Sequence, residues 1–173
     1  MFLQETYTIE DVYWYSGDGT KLTGSYSTGT DSGYSYVTNI GSDIVFPAVP
    51  TGDFELSMKA YRPTSTSNRN LLFEVGSAKN DTLLVGWDSG ASNSAKNLRI
   101  YRRSGNSNTS LTNNTSPSYN NGEWIDLKIR YDDGTVTLTG GSTSVSATRG
   151  TVTRIGNYVT SASRISELKI KLL

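Results

Sequence analysis

Two residue types are missing from this 173-residue sequence, and each absence removes a class of chemistry. There is no cysteine, which excludes disulfide frameworks, thiolate nucleophiles and Cys-ligated metals. There is no histidine, the side chain that titrates near neutrality and the commonest transition-metal ligand. Ser-His-Asp hydrolysis, Cys-His proteolysis and His-ligated zinc chemistry are therefore excluded, whereas calcium remains possible because it binds oxygen ligands.

An excess of one charge and long apolar runs are also missing. Lys+Arg is 16 and Asp+Glu is 16, so nothing draws the chain electrostatically to nucleic acid. No apolar run approaches the ~20 residues that cross a bilayer, and we expect no membrane insertion. The N-terminus also lacks the basic start and apolar stretch of a secretion signal. We interpret Met1, followed at once by strand-like sequence, as the start of a fragment excised from a larger protein.

Helical periodicity is nearly absent, and short alternating runs take its place. Residues 54–61 and 125–131 alternate apolar and polar side chains, which is typical of strands with one face on a core. Asp133-Gly134 is a preferred tight-turn dipeptide between two such runs. Further strands are predicted at 7–15, 20–27, 34–46, 71–76, 82–88, 97–103, 135–138, 144–147, 152–158 and 168–172. About a dozen strands are too many for one open sheet, so we predict an all-β, two-sheet antiparallel sandwich.

The chain is predicted to form a single domain over residues 1–173. Two polar segments, 63–70 and 104–121, lie between predicted strands and are interpreted as long exposed loops. Acidic side chains outnumber basic ones by eight to two in residues 1–60, and the rest of the chain has the opposite excess. We interpret this asymmetry as two portions that pack together with complementary charges.

From residue 53 onward, a series of short signals follows a recognisable order. The signals are a strand from Asp53 to Pro63, LFEVG (72–76), LLVGWD (83–88), LRIY (98–101), NGEW (121–124), the strand 125–131, DGTVTL (133–138), IGN (155–157) and ISELKI (165–170). Their order resembles the laminin-G-like domains of the concanavalin A-like lectin/glucanase superfamily. The resemblance implies a jelly-roll core over residues 53–173 with a concave and a convex sheet, and a rim calcium is possible. Residues 1–52 are expected to supply partner strands.

The alternation also predicts which side chains face outward from three of the strands that the resemblance places on the concave sheet. With the apolar residues of 71–76, 82–88 and 97–103 facing the core, one set of polar and aromatic side chains projects from the other face. We name this set the polar floor: Glu74, Asp88, Arg99, Tyr101 and Arg103. Flat aromatic faces and planar polar groups are what a sugar ring requires, and Gly86 is expected to leave room for one. The polar floor is therefore a candidate sugar-binding platform; the alternative is an ordinary solvent-facing surface.

Other aromatic residues are candidates for contact with a ligand or a neighbouring domain. The run Tyr13-Trp14-Tyr15 cannot face one side of a strand throughout, so we take Trp14 as a candidate. Tyr34 and Tyr36 share a face of one strand and are candidates for stacking. Trp87 and Trp124 are predicted to lie in the core.

Catalysis is not expected. A glycosidase needs two carboxyl groups about 5–10 Å apart, and the sequence offers no clustered carboxylates on one strand. Glu74 and Asp88, one on each of two strands, are the best pair available. We therefore predict a non-catalytic carbohydrate-binding or receptor-recognition module of a larger viral tail or cell-surface protein, located outside the cell. A structural or protein-binding spacer that contacts neighbouring domains is the alternative, and a glycan-cleaving enzyme is a third hypothesis.

Overall fold

The computed structural model describes residues 27–38, 52–62, 71–78, 81–88, 97–113, 122–159 and 163–173. The strands in these ranges are β1 (Ser27–Asp31), β2 (Tyr34–Thr38), β3 (Phe54–Tyr61), β4 (Leu71–Ala78), β5 (Asp81–Asp88), β6 (Asn97–Ser104), β7 (Ser107–Asn113), β8 (Trp124–Asp132), β9 (Thr135–Gly140), β10 (Thr143–Thr148), β11 (Arg154–Val159) and β12 (Arg164–Leu172). The strand predicted at 7–15 and the loop predicted at 63–70 lie outside the described residues. Where the chain is described, it forms no helix that is long and apolar enough to span a membrane.

The strands form two antiparallel sheets. A seven-stranded sheet has the order β1-β2-β12-β3-β8-β9-β10, and a five-stranded sheet has the order β11-β4-β5-β6-β7. The two-sheet antiparallel sandwich predicted from the alternating runs is confirmed. The three strands that carry the polar floor, β4, β5 and β6, are neighbours in the five-stranded sheet.

The core lies between the inner faces of the two sheets and follows the predicted alternation. In β3, buried residues from Phe54 to Ala60 alternate with half-buried ones. In β5, Trp87 is fully buried, which confirms its predicted place in the core. Burying one face of each sheet supplies the main stabilisation of such a sandwich. The opposite faces are therefore the places where functional side chains can project.

Tight turns connect several neighbouring strands. Asp133 and Gly134 have φ values of 41° and 76°, and Ser32 and Gly33 have values of 54° and 85°. Two consecutive residues in the left-handed region are what a type I′ hairpin turn requires. The Asp-Gly hairpin predicted from the sequence is confirmed, and the Ser32-Gly33 turn joins β1 to β2 as a second hairpin of the same kind.

The segment predicted as a loop over 104–121 contains a strand, so that prediction is wrong for its first part. β7 pairs with β6 through the two-residue turn Gly105-Asn106, in which Gly105 has a φ of 57°. β7 is the edge strand of the five-stranded sheet, and its side chains from Ser107 to Leu111 are exposed. An edge strand whose side chains are mostly exposed needs no apolar alternation, which is why its sequence resembles a loop.

Gly86 differs from the expectation that it leaves room for a sugar ring. A Cβ atom at this position would overlap the backbone carbonyl of Leu71 on the neighbouring strand β4. The space beside Gly86 is therefore filled by β4, and glycine is required here by the close approach of two backbones.

Replacing Gly86 with alanine should therefore force β4 and β5 apart. We expect Gly86→Ala to lower the free energy of unfolding by about 1–3 kcal/mol, measured by urea denaturation. Gly150→Ala is the matched control, because a Cβ atom at Gly150 would meet open space. Equal stability of the two variants would contradict the close approach of the strands.

Candidate functional site

Four of the five residues of the polar floor, Glu74, Arg99, Tyr101 and Arg103, share the outer face of the five-stranded sheet. Strand register places Glu74 opposite Leu84 and Leu84 opposite Tyr101, so the side chains of these residues project from one face. Arg99 and Arg103, two positions on either side of Tyr101 in β6, share that face. Asp88 ends β5, but its side chain lies outside the described residues.

The three β6 residues form a half-buried row. Arg99 donates a hydrogen bond from Nη1 to the Tyr101 hydroxyl at 3.2 Å, and its guanidinium carbon lies 6.0 Å from the Tyr101 ring centroid. Arg103 is half-buried on the same face. The row therefore offers an aromatic ring flanked by two guanidinium groups, which agrees with the predicted arrangement of this part of the floor.

The β4 and β5 part of the floor differs from the expected accessible surface. Glu74 is only 3% exposed and is ion-paired with Arg154 of β11. Leu72 and Leu84, which share its face, are buried as well. The Glu74 carboxylate is thus committed to a partner inside the protein, and a ligand would meet mainly β6 on this sheet.

A second set of aromatic side chains meets on the outer face of the seven-stranded sheet. The Trp124 ring centroid lies 4.9 Å from that of Tyr34, 5.3 Å from that of Tyr61 and 6.3 Å from that of Tyr36. We call these four residues the aromatic cluster. All four are half-buried, so each ring keeps part of its surface in contact with solvent. Centroid separations of 4.5–7 Å are those of favourable aromatic pairs.

Strand register explains how the aromatic cluster forms. Tyr61 lies directly opposite Trp124, and the next pair along, Ala60 and Ile125, faces the core. Trp124 therefore projects outward, and its predicted place in the core is wrong. The alternation over 54–61 and 125–131 already places Tyr61 and Trp124 on the polar side of their strands, so the sequence carried a signal for both.

Tyr34 and Tyr36 reach this surface from the β1–β2 hairpin. They lie two positions apart on β2, and both contact the Trp124 ring, which confirms that they share a face. β2 pairs with β12 at only two positions, so side chains supply much of the hairpin's attachment. The Ser166 hydroxyl donates to the Ser35 carbonyl at 2.5 Å, and the Thr38 hydroxyl donates to the Ser163 carbonyl at 2.8 Å.

Two cations border the aromatic cluster. The Arg164 guanidinium lies 4.6 Å from the ring centroids of both Tyr36 and Tyr61 and binds Asp31 at 2.5 Å. A guanidinium at this distance from an aromatic ring is attracted by its π-face. Arg164 therefore links the hairpin, through its tyrosine and its aspartate, to the middle of the sheet.

The second cation is Lys59, whose Nζ atom lies 5.9 Å from the Tyr34 ring centroid and 2.8 Å from the Asp126 carboxylate. The hydrogen bond to Asp126 raises the pKa of Lys59 above its ordinary value. This hydrogen bond favours the charged form of the amine, and the surface presents a cation and a carboxylate beside its aromatic rings.

Comparison with known proteins identifies the fold. No family model and no curated protein matches the sequence. Among solved structures, the exoplasmic/lumenal domain of VIP36 in its Ca²⁺/Man-bound form has a TM-score of 0.60, 12% identity and coverage of 94% of this chain and 88% of its own. The carbohydrate-binding module CBM66 from Bacillus subtilis has a TM-score of 0.52, 9% identity and coverage of 86% and 88%.

A third structure, the CBM2 module of the evolved Dit of Lactobacillus casei BL23 phage J-1, has a TM-score of 0.54, 12% identity and coverage of 86% and 80%. The chain has the concanavalin A-like lectin fold. At these sequence identities, the similarity of the three structures to this chain concerns the fold alone. A binding site can be inferred only from the side chains of this chain and their contacts.

The lectin fold raises the question of calcium, since the VIP36 structure is a Ca²⁺-bound form. In the described ranges, no three Asp, Glu, His or Cys side chains come close enough to hold a metal ion. Asp31, Asp126 and Asp132 are each ion-paired with a basic side chain. The described residues therefore do not fit a calcium site, and a rim calcium stays a prediction.

Trp14 lies outside the described residues, and its role as a contact residue also stays a prediction.

Measurements of stability can test whether Glu74 serves to stabilise the fold through its ion pair with Arg154. Replacing Arg154 with methionine would leave a carboxylate whose side chain is 4% exposed without its partner. We expect Arg154→Met to lower the free energy of unfolding by about 3–5 kcal/mol, and Glu74→Leu/Arg154→Met to recover most of that loss.

The control for this test is the exposed pair of Arg130 and Asp132. Arg130→Met should cost less than about 1 kcal/mol, because exposed ion pairs contribute little. Chemical denaturation of the wild type and these three variants provides the measurement. If Arg154→Met is as stable as the Arg130→Met control, the Glu74 carboxylate does not depend on Arg154, and Glu74 would again be a candidate for contact with a ligand.

Proposed function

We propose that this chain is a non-catalytic carbohydrate-binding module and that the aromatic cluster on the seven-stranded sheet is its sugar-contacting surface. One observation carries the proposal. Four aromatic rings, drawn from β2, β3 and β8, meet on an outer face and keep part of their surface exposed. Rings contributed by three strands form a surface that no single strand could present.

The chemistry of the surface suits a sugar. The apolar C–H face of a pyranose packs on an aromatic ring, and its hydroxyl groups need donors and acceptors at the rim. Tyrosine hydroxyl groups provide both, and the ion pair of Lys59 and Asp126 beside Tyr34 provides a charged donor and acceptor. Rings held by neighbouring side chains lose little conformational freedom on binding, which favours affinity.

The positions of Glu74 and Asp88, the best carboxylate pair that the sequence offers, do not support their action as a catalytic pair. Glu74 lies opposite Leu84, and Asp88 is four residues further along β5, so their positions are about 13 Å apart along the sheet. The carboxyl groups of glycosidases are about 5–10 Å apart across the scissile bond. Glu74 is also ion-paired with Arg154, on the side of β4 away from β5. This pair does not meet the requirement for a general acid and a nucleophile or base.

The setting of the module is part of the proposal. Two of the similar structures are a carbohydrate-binding module of Bacillus subtilis and a module of a phage Dit protein. Their folds and names support an extracellular glycan-recognition domain, in a virion tail component or a cell-surface protein. The partners of such a domain would be a cell-surface polysaccharide and the neighbouring domains of the parent protein.

The β6 row on the five-stranded sheet is a second candidate surface for the same function. The contact between Arg99 and Tyr101 favours it, because an arginine that is hydrogen-bonded to a tyrosine presents a pre-oriented donor beside an aromatic ring. A comparison of variants on the two sheets distinguishes the surfaces.

A glycan array that includes microbial cell-wall polysaccharides tests the proposal. The proteins compared are the wild type, Tyr34→Ala, Tyr34→Phe and Tyr101→Ala, each checked by thermal unfolding. We expect Tyr34→Ala to weaken binding at least tenfold through the lost ring contact, and Tyr34→Phe to retain most of it. Tyr101→Ala should bind like the wild type.

The opposite pattern, with binding lost only in Tyr101→Ala, would move the site to the β6 row. Binding that neither tyrosine affects would contradict both surfaces. If no glycan binds, with or without calcium, the structural or protein-binding role replaces the proposed function.

A further inference from the structure

A groove lies beside the aromatic cluster on the outer face of the seven-stranded sheet. Its volume is about 450 Å³, and its polar lining comes from Ser57, Asp126, Lys128, Thr139 and Glu167. Pockets that bind small molecules have volumes of about 300–1,000 Å³, so the groove has room for a sugar unit.

The groove and the aromatic cluster are linked through the ion pair of Asp126 and Lys59. Asp126, which lines the groove, binds Lys59, and Lys59 lies over the ring of Tyr34. Trp124 and Lys128 project from the same face of β8 and are four residues apart. Their positions are thus separated by about 13 Å, which exceeds one pyranose ring and matches a short oligosaccharide.

The groove differs from the aromatic cluster in its chemistry. Two carboxylates, one ammonium group and two hydroxyl groups line it, which is a set of donors and acceptors for sugar hydroxyls. The side chains of Asp126 and Lys128 are 77% and 46% exposed, so a ligand can reach them. Their partners Lys59 and Glu55 are 24% and 20% exposed, so each ion pair is open to solvent on the side of Asp126 or Lys128. Ligand hydroxyls can therefore share the exposed group of each pair without breaking a fully buried ion pair.

Glu167 reaches the groove because of an irregularity in β12. The register with β3 shifts between Ser166 and Lys169, and Glu167 within this bulge has a φ of 51°. A residue other than glycine rarely adopts this conformation, and β-bulges redirect side chains from the sheet pattern. The bulge gives the groove an exposed carboxylate that a regular strand would not place there.

We propose that the groove is a second sugar subsite next to the aromatic cluster, so that the module binds an internal segment of a linear oligosaccharide. One unit stacks on the aromatic cluster, and the next units extend along β8 into the groove. This inference rests on the proposed function and adds the class of glycan: a linear chain of at least two units, in place of a terminal monosaccharide.

Isothermal titration calorimetry with chain-length series tests the inference. The probes are chito-, cello- and manno-oligosaccharides of one to five units, together with the linear series of any polysaccharide that binds on the array. We expect affinity to rise at least tenfold from the monosaccharide to the trisaccharide and then to level off, because a second subsite adds contacts until both are filled.

Two variants assign the rise in affinity to the groove. Glu167→Asn removes the carboxylate and suits the left-handed backbone, and Lys128→Met removes the ammonium group. Both should reduce the gain from chain length while leaving monosaccharide binding unchanged. Asp133→Asn is the matched control, since Asp133 is an exposed acid with a φ of 41° that lies outside the groove.

The outcomes separate the two proposals. Equal affinity for one and three sugar units would overturn the second subsite, as would a chain-length gain that both variants retain. In either case, the proposed function would still stand if glycan binding is weakened by Tyr34→Ala. The absence of all glycan binding would overturn the proposed function itself.

Discussion

The aromatic cluster depends on the position of one strand, β12, which lies between the β1–β2 hairpin and β3 in the seven-stranded sheet. β12 pairs with β2 on one side and with β3 on the other. Arg164, at its first position, is attracted to the rings of Tyr36 and Tyr61 and binds Asp31. This one side chain of β12 connects the β1–β2 hairpin to β3. The aromatic cluster follows from that connection, because it brings the rings of β2 onto Trp124 of β8.

The two outer faces of the sandwich have become different surfaces. On the five-stranded sheet, Leu72, Leu84 and the ion pair of Glu74 with Arg154 leave mainly β6 for contact. On the seven-stranded sheet, aromatic rings, partly exposed ion pairs and the groove share the outer face. The charge asymmetry along the sequence has a counterpart here, since Asp31 and Glu55 from the acidic portion pair with Arg164 and Lys128 from the basic portion. A surface with balanced charge and exposed rings suits neutral, hydroxyl-rich ligands better than polyanions.

The sequence was most informative where burial imposes a period of two, and least informative where pairing depends on distant residues. The inner face of β3 and the Asp133-Gly134 turn were predictable because each depends on local chemistry. β7 was missed because an exposed edge strand has no apolar pattern. Gly86 was misinterpreted because the backbone that approaches it belongs to another strand. The shared face of Tyr34 and Tyr36 was predictable, whereas their contact with Trp124 required the register of β12.

The most direct test of the account uses the indole N–H signals of the three tryptophans in a ¹H–¹⁵N NMR titration with an oligosaccharide that binds on the array. Trp124 belongs to the proposed contact surface, whereas Trp87 is fully buried in the core and provides an internal reference. If the aromatic cluster contacts the sugar, the Trp124 indole signal will shift in a saturable manner and the Trp87 signal will not move. A saturable titration in which the Trp124 signal stays fixed while backbone amides of β6 or the Trp14 indole shift would show that the sugar does not bind at the aromatic cluster.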